Sequence, residues 1–254
     1  MPTNKADTHF DLAVTSVLES TGVEFELVIV IDAVELNTRA FEWANDPRVT
    51  WIRTPTRSGS GGTMRYGLRA SRGEFIARMD ADDICHPERL ERQLAILDAD
   101  PTVVAVSSRS RRINENGEPT GDIDLPYGDD IRRDLLLQNV VPHSSLMVRR
   151  RALVEVGGYP ATAQMEDYLL LLHLAQTGKI TQLSDRLIDY RVHDGQMSLG
   201  APPRGAHIDA VVRERRRLGK RLGVSRLEVE AKNAIWRFVQ FLRFYGLRKP
   251  GHAR

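Results

Sequence analysis

Apolar residues along the chain follow two spacings that alternate. Short runs rich in valine and isoleucine predict buried parallel strands, and stretches with apolar residues three or four positions apart predict helices. In the first half, strands are expected at residues 25–31, 49–53, 74–79 and 103–107, and helices at residues 8–20, 59–68 and 86–98. This alternation is typical of an α/β fold, with a mostly parallel, Rossmann-like sheet flanked by helices.

After residue 108 the predicted elements become shorter. A hairpin or a loop is expected over 109–121, with Asn116-Gly117 as its turn. Short helices follow at 130–138, 150–156 and 166–176, and strands at 144–148 and 187–192. Beyond residue 198, a linker containing proline and glycine leads into two helical stretches. The predicted organisation is a main domain over 1–198, with halves at 1–108 and 109–198, and a basic helical C-terminal extension over 199–254.

The first strand of the expected sheet is missing from the pattern. A fold of this class places a strand beside the run at 25–31, yet the chain opens with a loop and a helix. An empty interior position would leave backbone groups unpaired. We therefore expect that Met1 is an internal methionine and that a Val/Ile-rich segment precedes it, which the upstream reading frame tests.

Composition and charge limit the classes of protein that fit. The single cysteine, Cys85, excludes a disulfide framework and favours a reducing cytoplasm. No signal peptide is visible, and no apolar run is long enough to cross a bilayer. Net charge is +2, but the segment from Arg204 onward holds 14 basic and 4 acidic residues, about +10, which leaves about −8 for the rest. The acidic part is expected to carry the chemistry and the basic part to meet an anionic partner.

Asp80-Ala81-Asp82-Asp83 is the most informative segment, because it follows a predicted buried strand directly. Open α/β sheets bind ligands at the carboxyl ends of their strands. Three carboxylates in four residues repel one another unless a cation compensates, and oxygen ligands favour Mg²⁺ or Mn²⁺. We interpret Asp80 and Asp82 as site residues and Asp83 as a cap of the following helix.

Three further sets of residues are candidates with a plain structural alternative. Asp32 directly follows the predicted strand at 25–31, where an aspartate without a functional role is also ordinary. Gly59 opens a helix whose backbone could approach a phosphate, or the glycine could serve only a tight turn. Glu166-Asp167 begins a helix, a position that suits a general base but also favours acids through the helix dipole. His193 follows a strand and is either a packed side chain or a metal ligand.

In their order along the chain, several segments resemble inverting family 2 glycosyltransferases of the GT-A fold, which use nucleotide-sugar donors. The resemblance covers residues 1–198. It is carried by Pro2-Thr3-Asn4, Asp32, Gly59 with Gly67, the run from Gly73 to Asp83 with Pro87-Glu88-Arg89-Leu90, Pro142-His143-Ser144-Ser145, Gly157-Gly158-Tyr159, Glu166-Asp167-Tyr168, and Tyr190-Arg191-Val192-His193 followed by Ser198.

The resemblance implies donor-side roles. Asp32 and the loop at Pro2-Thr3 would hold the nucleotide base, Asp80 the ribose, and Asp82 a Mg²⁺ or Mn²⁺ ion on the diphosphate. His193 would complete the metal or diphosphate site. The implied donor-binding residues are Pro2, Thr3, Asp32, Gly59, Arg65, Asp80 and Ala81, and the implied metal ligands are Asp82 and His193.

The resemblance also implies an acceptor side in residues 109–198, where Asp167 would deprotonate the acceptor hydroxyl beside Glu166 and His143. Two segments depart from the family pattern. The paired acids usual after the second strand are here Ile31-Asp32, and the glycine loop carries Met64-Arg65. The implied activity is inverting sugar transfer in bacterial cell-surface polysaccharide or glycolipid synthesis, with a saccharide or a lipid-linked acceptor.

Two alternatives remain at this point. A sugar nucleotidyltransferase has a similar sheet but would show a Gly-rich, Arg/Lys-bearing loop at its N-terminus, and a catalytically impaired relative would bind the nucleotide sugar without transfer. The basic stretch over 213–245 is either a helix packed on the domain or an amphipathic anchor for peripheral association with the inner face of the plasma membrane. Nothing resembles a nucleic-acid recognition motif.

Overall fold

The computed structural model describes residues 1–37, 41–160, 164–193 and 203–245. The described strands are β1 (Pro2–Thr3), β2 (Leu27–Ile31), β3 (Val49–Arg53), β4 (Phe75–Ala77), β5 (Ile84–Cys85), β6 (Val103–Ile113), β7 (Pro119–Ile123), β8 (Met147–Arg149) and β9 (Lys179–Arg191). The described helices are α1 (Thr8–Leu18), α2 (Gly59–Ala70), α3 (Arg89–Ala99), α4 (Arg150–Glu155), α5 (Glu166–Leu174), α6 (Gly205–Arg221) and α7 (Arg226–Tyr245).

Three strands form a small parallel sheet in the order β1-β2-β3. All five residues of β2 are buried, as expected for a strand covered on both faces. Strand β1 is only two residues long and places Pro2 opposite Val30 and Thr3 opposite Ile31. Pro2 and Thr3 therefore lie in the first-strand position and not in a loop after it, which corrects that detail of the sequence analysis. The segment expected before Met1 stays a prediction.

The second sheet has the order β4-β8-β6-β9-β5, with β7 forming a hairpin on β6. Strands β6 and β9 run parallel, whereas the other four described ladders of this sheet are antiparallel. The α/β class is confirmed, but strand direction here differs from the expected mostly parallel arrangement. The apolar runs that predicted these strands report burial and do not encode direction.

Most predicted elements of the second half are present with shifted bounds. The hairpin turns at Asn116-Gly117, where Gly117 has φ +85°, as a tight turn of this kind requires. The helix expected over 130–138 is reduced to a single 3-10 turn at Asp134–Leu136. Strand β9 starts at Lys179, well before the predicted strand at 187–192.

The largest hydrophobic cluster joins the second sheet to the C-terminal helices. Leu170, Leu171 and Leu172 of α5 are fully buried in it, so this helix is apolar on every side, as a core helix is. Val212 of α6 and Trp236 of α7 belong to the same cluster. The helices α6 and α7 thus complete the core behind α5. Within the described residues, no helix combines the length and the apolar character needed to cross a bilayer.

Candidate active site

Three carboxylates come together in the turn that connects β4 to β5. Oxygen atoms of Asp80, Asp82 and Asp83 all lie within 4.8 Å of one another. Strand β9 holds this turn in place through Arg191, whose backbone N–H donates to Asp83 Oδ1 (2.9 Å) and whose Nε donates to the carbonyl of Asp82 (2.8 Å). The acidic segment is therefore fixed by main-chain as well as side-chain contacts.

Asp83 does not cap helix α3, so that prediction was wrong. The N-cap of α3 is Glu88, and the Asp83 side chain points inward with only 1% of its surface exposed. Burial, together with the charges of Asp80 and Asp82, raises the pKa of Asp83 well above its usual range. The Ser144 hydroxyl and the Arg191 backbone N–H oppose this rise in its pKa through hydrogen bonds to the carboxylate. A cluster of three carboxylates fits a divalent cation.

His193 reaches the same cluster from the end of β9. Its Nε2 lies 3.0 Å from Asp82 Oδ2. The ring of His9 on α1 lies beside it, with ring centroids 6.3 Å apart. The convergence of positions 82 and 193, which are 111 residues apart in sequence, is thus present in the structure.

Arg78 is the buried cation beside the acidic turn. Its guanidinium pairs with Asp80, and it is 9% exposed. Burial disfavours its charge, but the Asp80 carboxylate outweighs this and raises the pKa of Arg78. The same positive charge acts to lower the pKa values of Glu166 and Asp167 at the start of α5.

Asp167 lies partly exposed in the first turn of α5. Burial raises the pKa of its carboxyl, against the opposing effects of the Tyr168 backbone N–H and of Arg78. Asn139 Nδ2 donates to Asp167 Oδ2 at 2.8 Å and fixes the carboxylate in place. The residue before this turn, Met165, has φ +60°, an unusual backbone conformation for a non-glycine residue.

Glu166 and His143 are both influenced by the Arg78 charge. Burial raises the pKa of Glu166, and a side-chain hydrogen bond with Ser60 of α2 opposes the shift. Burial and the nearby Arg78 charge lower the pKa of His143 well below its usual value, so the ring is neutral. Among the described residues, its buried Nε2 has no hydrogen-bond partner, and its ring lies 5.8 Å from that of Tyr159.

Asp32 makes a helix-capping contact. Its Oδ1 accepts the backbone N–H of Ser58 (2.6 Å) and the Thr54 hydroxyl (3.2 Å), and its Oδ2 accepts the backbone N–H of Gly59 (3.0 Å). The carboxylate thus binds the first backbone N–H groups of α2. Gly59 has φ +64°, which explains the glycine at this turn.

The remaining predicted donor-side residues are placed less distinctly. The Thr3 hydroxyl donates locally to the carbonyl of Lys5 (2.7 Å), and Pro2 is half-buried beside it. Ala81 packs against the cluster around Phe10. Arg65 on α2 has a buried Nε with no protein partner.

Sequence reasoning did not select Arg78, Asn139 or Arg191 as site residues. A signal existed for Arg78, because it is a basic residue directly after an apolar strand and two positions before Asp80, hence on the same face as Asp80. Asn139 had no comparable signal, since only the tertiary fold brings it to Asp167. A separate surface depression is lined by Thr102, Arg132, Arg151 and Lys179, among others, and its lining contains none of the candidate site residues.

A protein-family model for glycosyl transferase family 2 matches residues 8–157, more than half of the chain. The chain belongs to this family. It is 28% identical over 201 residues to the O-antigen biosynthesis glycosyltransferase WbnJ of Escherichia coli, covering 76% of this chain and 78% of that protein. It is 29% identical over 170 residues to the amylovoran biosynthesis glycosyltransferase AmsE of Erwinia amylovora, covering 65% and 64%.

Among solved structures, the fold is similar to that of residues 1–349 of S. aureus TarS in complex with UDP-GlcNAc. The TM-score is 0.69 at 19% identity, covering 96% of this chain and 71% of that one. The family assignment and the GT-A fold are thereby confirmed. The match to the family model ends at residue 157, so the roles of Asp167 and His193 depend on the local geometry.

Proposed function

We propose that the protein transfers a sugar from a nucleotide-diphosphate donor to an acceptor hydroxyl, with inversion, in the synthesis of a bacterial cell-surface polysaccharide or glycolipid. The roles of WbnJ in O-antigen biosynthesis and of AmsE in amylovoran biosynthesis, and the UDP-GlcNAc bound to TarS, support this class. The observation that carries the proposal is the cluster of Asp80, Asp82 and Asp83 with His193 beside it.

The acidic turn forms the donor side in this proposal. Asp82, with His193 beside it, would hold Mg²⁺ or Mn²⁺, and Asp80 would bind the ribose. A divalent cation supplies stabilisation of the negative charge that develops on the departing diphosphate. Arg191 keeps the ligand atoms in place by binding the Asp82 carbonyl and the Asp83 carboxylate.

Asp167 would act as the general base. An acceptor hydroxyl becomes a good nucleophile only as its proton leaves, so a carboxylate must lie on the side of the sugar away from the diphosphate. In this proposal Asp167 lies on that side; it is partly exposed and is oriented by Asn139. Its raised pKa makes it a stronger proton acceptor than an ordinary aspartate.

The other residues would act around these two groups. Glu166 and His143 line the acceptor side, where the unpaired His143 Nε2 is available to a hydroxyl. Pro2, Thr3, Ala81 and Arg65 would line the donor side. Asp32 and Gly59 would contribute by shaping the start of α2, since the capping contact already uses both Asp32 oxygens.

The test separates transfer from donor binding. Purified protein is incubated with a panel of nucleotide sugars and Mn²⁺, and nucleotide release and calorimetric affinity for the nucleoside diphosphate are measured for wild type, Asp167→Asn and Asp82→Ala. Asp167→Asn should lower turnover by roughly 10²–10⁴-fold while retaining affinity. Asp82→Ala should lose metal-dependent binding and turnover together.

Asp124→Asn is the matched control, because this carboxylate is 83% exposed and pairs with Arg109 outside the site. Its turnover should equal that of wild type. Retained turnover in Asp167→Asn would refute the base assignment. If wild type binds the nucleotide with Mn²⁺ but neither it nor any variant releases product, the protein is a nucleotide-sugar-binding relative. If it forms nucleoside triphosphate from the nucleotide sugar and pyrophosphate, it is a nucleotidyltransferase.

A further inference from the structure

Helix α7 is apolar on two opposite faces. Its inner face packs into the main core through Val229 and Trp236, which are 3% and 4% exposed. Its outer face carries large apolar side chains that are about half exposed or more. These are Leu227 (83%), Ile235 (55%), Phe238 (61%), Val239 (48%), Phe241 (56%) and Leu242 (48%).

The outer residues form one continuous stripe. At 100° per residue, positions 231, 235, 238 and 242 fall on the side of the helix directly opposite Val229 and Trp236. The two acids near this stripe are both paired, Glu228 with Lys232 at 2.9 Å and Glu230 with Arg216 at 2.6 Å. Single exposed apolar residues are ordinary, but a row of them two turns or more in length marks a surface that binds something.

The charge around the stripe indicates the kind of partner. Residues 203–245 contain 11 basic and 4 acidic residues, a net charge of +7. Some cations are paired internally, as Arg237 is with Asp209 at 2.7 Å, but the excess remains. A second copy would bring the same positive charge to the contact and repel it. An anionic lipid surface offers both an apolar layer and the opposite charge.

We propose that the outer face of α7 docks into the interface of an anionic lipid bilayer, with the helix lying in the membrane plane. The stripe enters the boundary between headgroups and acyl chains, and the flanking arginines and lysines bind lipid phosphates. This is an interfacial contact, since the inner face of the same helix remains in the protein core.

The position of α7 connects this contact to the candidate active site. The Trp236 ring on its inner face packs edge-on against Tyr168, with centroids 6.1 Å apart, and Tyr168 follows Asp167 directly. Docking would therefore bring the start of α5 close to the bilayer. Only this consequence depends on the proposed function; it would favour an acceptor carried on a lipid.

Vesicle co-sedimentation of the full chain tests the docking without any donor or acceptor. Wild type should bind vesicles of phosphatidylglycerol and phosphatidylcholine, bind pure phosphatidylcholine vesicles weakly, and lose affinity as salt is raised. The double variant Phe238→Gln/Leu242→Gln should lower the partition coefficient by roughly 30-fold, because two half-exposed apolar side chains no longer enter the lipid. Glutamine keeps good helix propensity at these positions.

Leu12→Gln/Val154→Gln is the matched control. It replaces two apolar side chains that are 46% and 60% exposed on α1 and α4, and its binding should equal that of wild type. Absence of binding by wild type, or equal binding by the α7 variant, would overturn the proposal. So would a dimer in sedimentation equilibrium that the α7 variant dissociates, since that would show a second copy covering the face. Turnover on a water-soluble acceptor reports on the proposed function separately.

Discussion

Replacing Asp32 with alanine separates two roles that one carboxylate could have. The family resemblance implies that Asp32 binds the nucleotide base, whereas the structure shows its oxygens accepting the backbone N–H groups of Ser58 and Gly59. Alanine removes the acceptor and leaves the start of α2 uncapped. If capping of α2 is the main role of Asp32, the variant should lose folding stability. If binding of the nucleotide base is the main role, the variant should lose donor affinity and keep its stability.

The expected loss of stability follows from the exposure of the released groups. A carboxylate at a helix N-terminus contributes about 0.3–2 kcal/mol, and a buried backbone N–H without an acceptor costs about 1–3 kcal/mol. Ser58 is half-buried and Gly59 is exposed, so water can replace part of the carboxylate. The Thr54 hydroxyl keeps the carbonyl of Thr56 as an acceptor at 2.9 Å. We therefore expect the free energy of unfolding to fall by about 2 kcal/mol, near the middle of these ranges.

Urea unfolding followed by circular dichroism measures this change, and calorimetry with a nucleoside diphosphate and Mn²⁺ measures donor affinity. Glu35→Ala is the matched control, because Glu35 follows the same strand but its side chain is 92% exposed in its pair with Arg53. An exposed pair of this kind contributes little, so its unfolding free energy should change by less than about 1 kcal/mol. If Asp32→Ala unfolds like Glu35→Ala, the capping account is wrong.

Two further changes follow from particular contacts. Asn139→Asp replaces the donor to Asp167 by a like charge and should raise the pKa of Asp167 further. In the proposed mechanism Asp167 acts deprotonated, so the acid limb of the kcat/KM profile should move to higher pH, whereas the surface change Asn116→Asp should leave the profile in place. Gly178→Ala would place a Cβ 2.6 Å from the carbonyl oxygen of Thr102 and 2.4 Å from the side chain of Val104. This substitution should lower the free energy of unfolding by about 1–3 kcal/mol in urea titrations. The control Gly205→Ala places its Cβ more than 4 Å from other atoms and should not lower it. An unchanged acid limb, or equal stabilities of the two alanine variants, would contradict these expectations.

The sequence predicted those parts of the fold that local patterns encode. The first helix, the strand Val49–Arg53 and the hairpin turn at Asn116-Gly117 all lie where spacing and turn residues place them. Strand direction in the second sheet was not predictable in this way. An apolar run shows that a strand is buried, but its partner and direction depend on contacts between distant segments, such as β6 with β9.

In the candidate site, too, local sequence patterns predicted some residues, whereas contacts between distant segments determined others. Asp80 and Asp82 were recognisable because a polar segment follows a buried strand directly. Asp83 was assigned to a cap because aspartate favours helix starts, but the helix begins later and Asp83 instead accepts a main-chain bond from Arg191. No local feature predicts that contact, since its partners are 108 residues apart. The contacts of Asp32 with the backbone N–H groups of Ser58 and Gly59 likewise join segments that are distant in sequence.

The charge of the assembled site constrains how a donor can bind. The acidic turn holds carboxylate oxygens of Asp80, Asp82 and Asp83 within 4.8 Å of one another, and Arg78 pairs with Asp80. Such a cluster of carboxylates would repel a free diphosphate. We infer that the donor binds as its complex with a divalent cation, so that cation and nucleotide each raise the affinity of the other by the same factor. Calorimetry should show that nucleoside diphosphate affinity depends on Mn²⁺ in wild type and much less in Asp82→Ala, and equal affinity with and without the cation would contradict this inference.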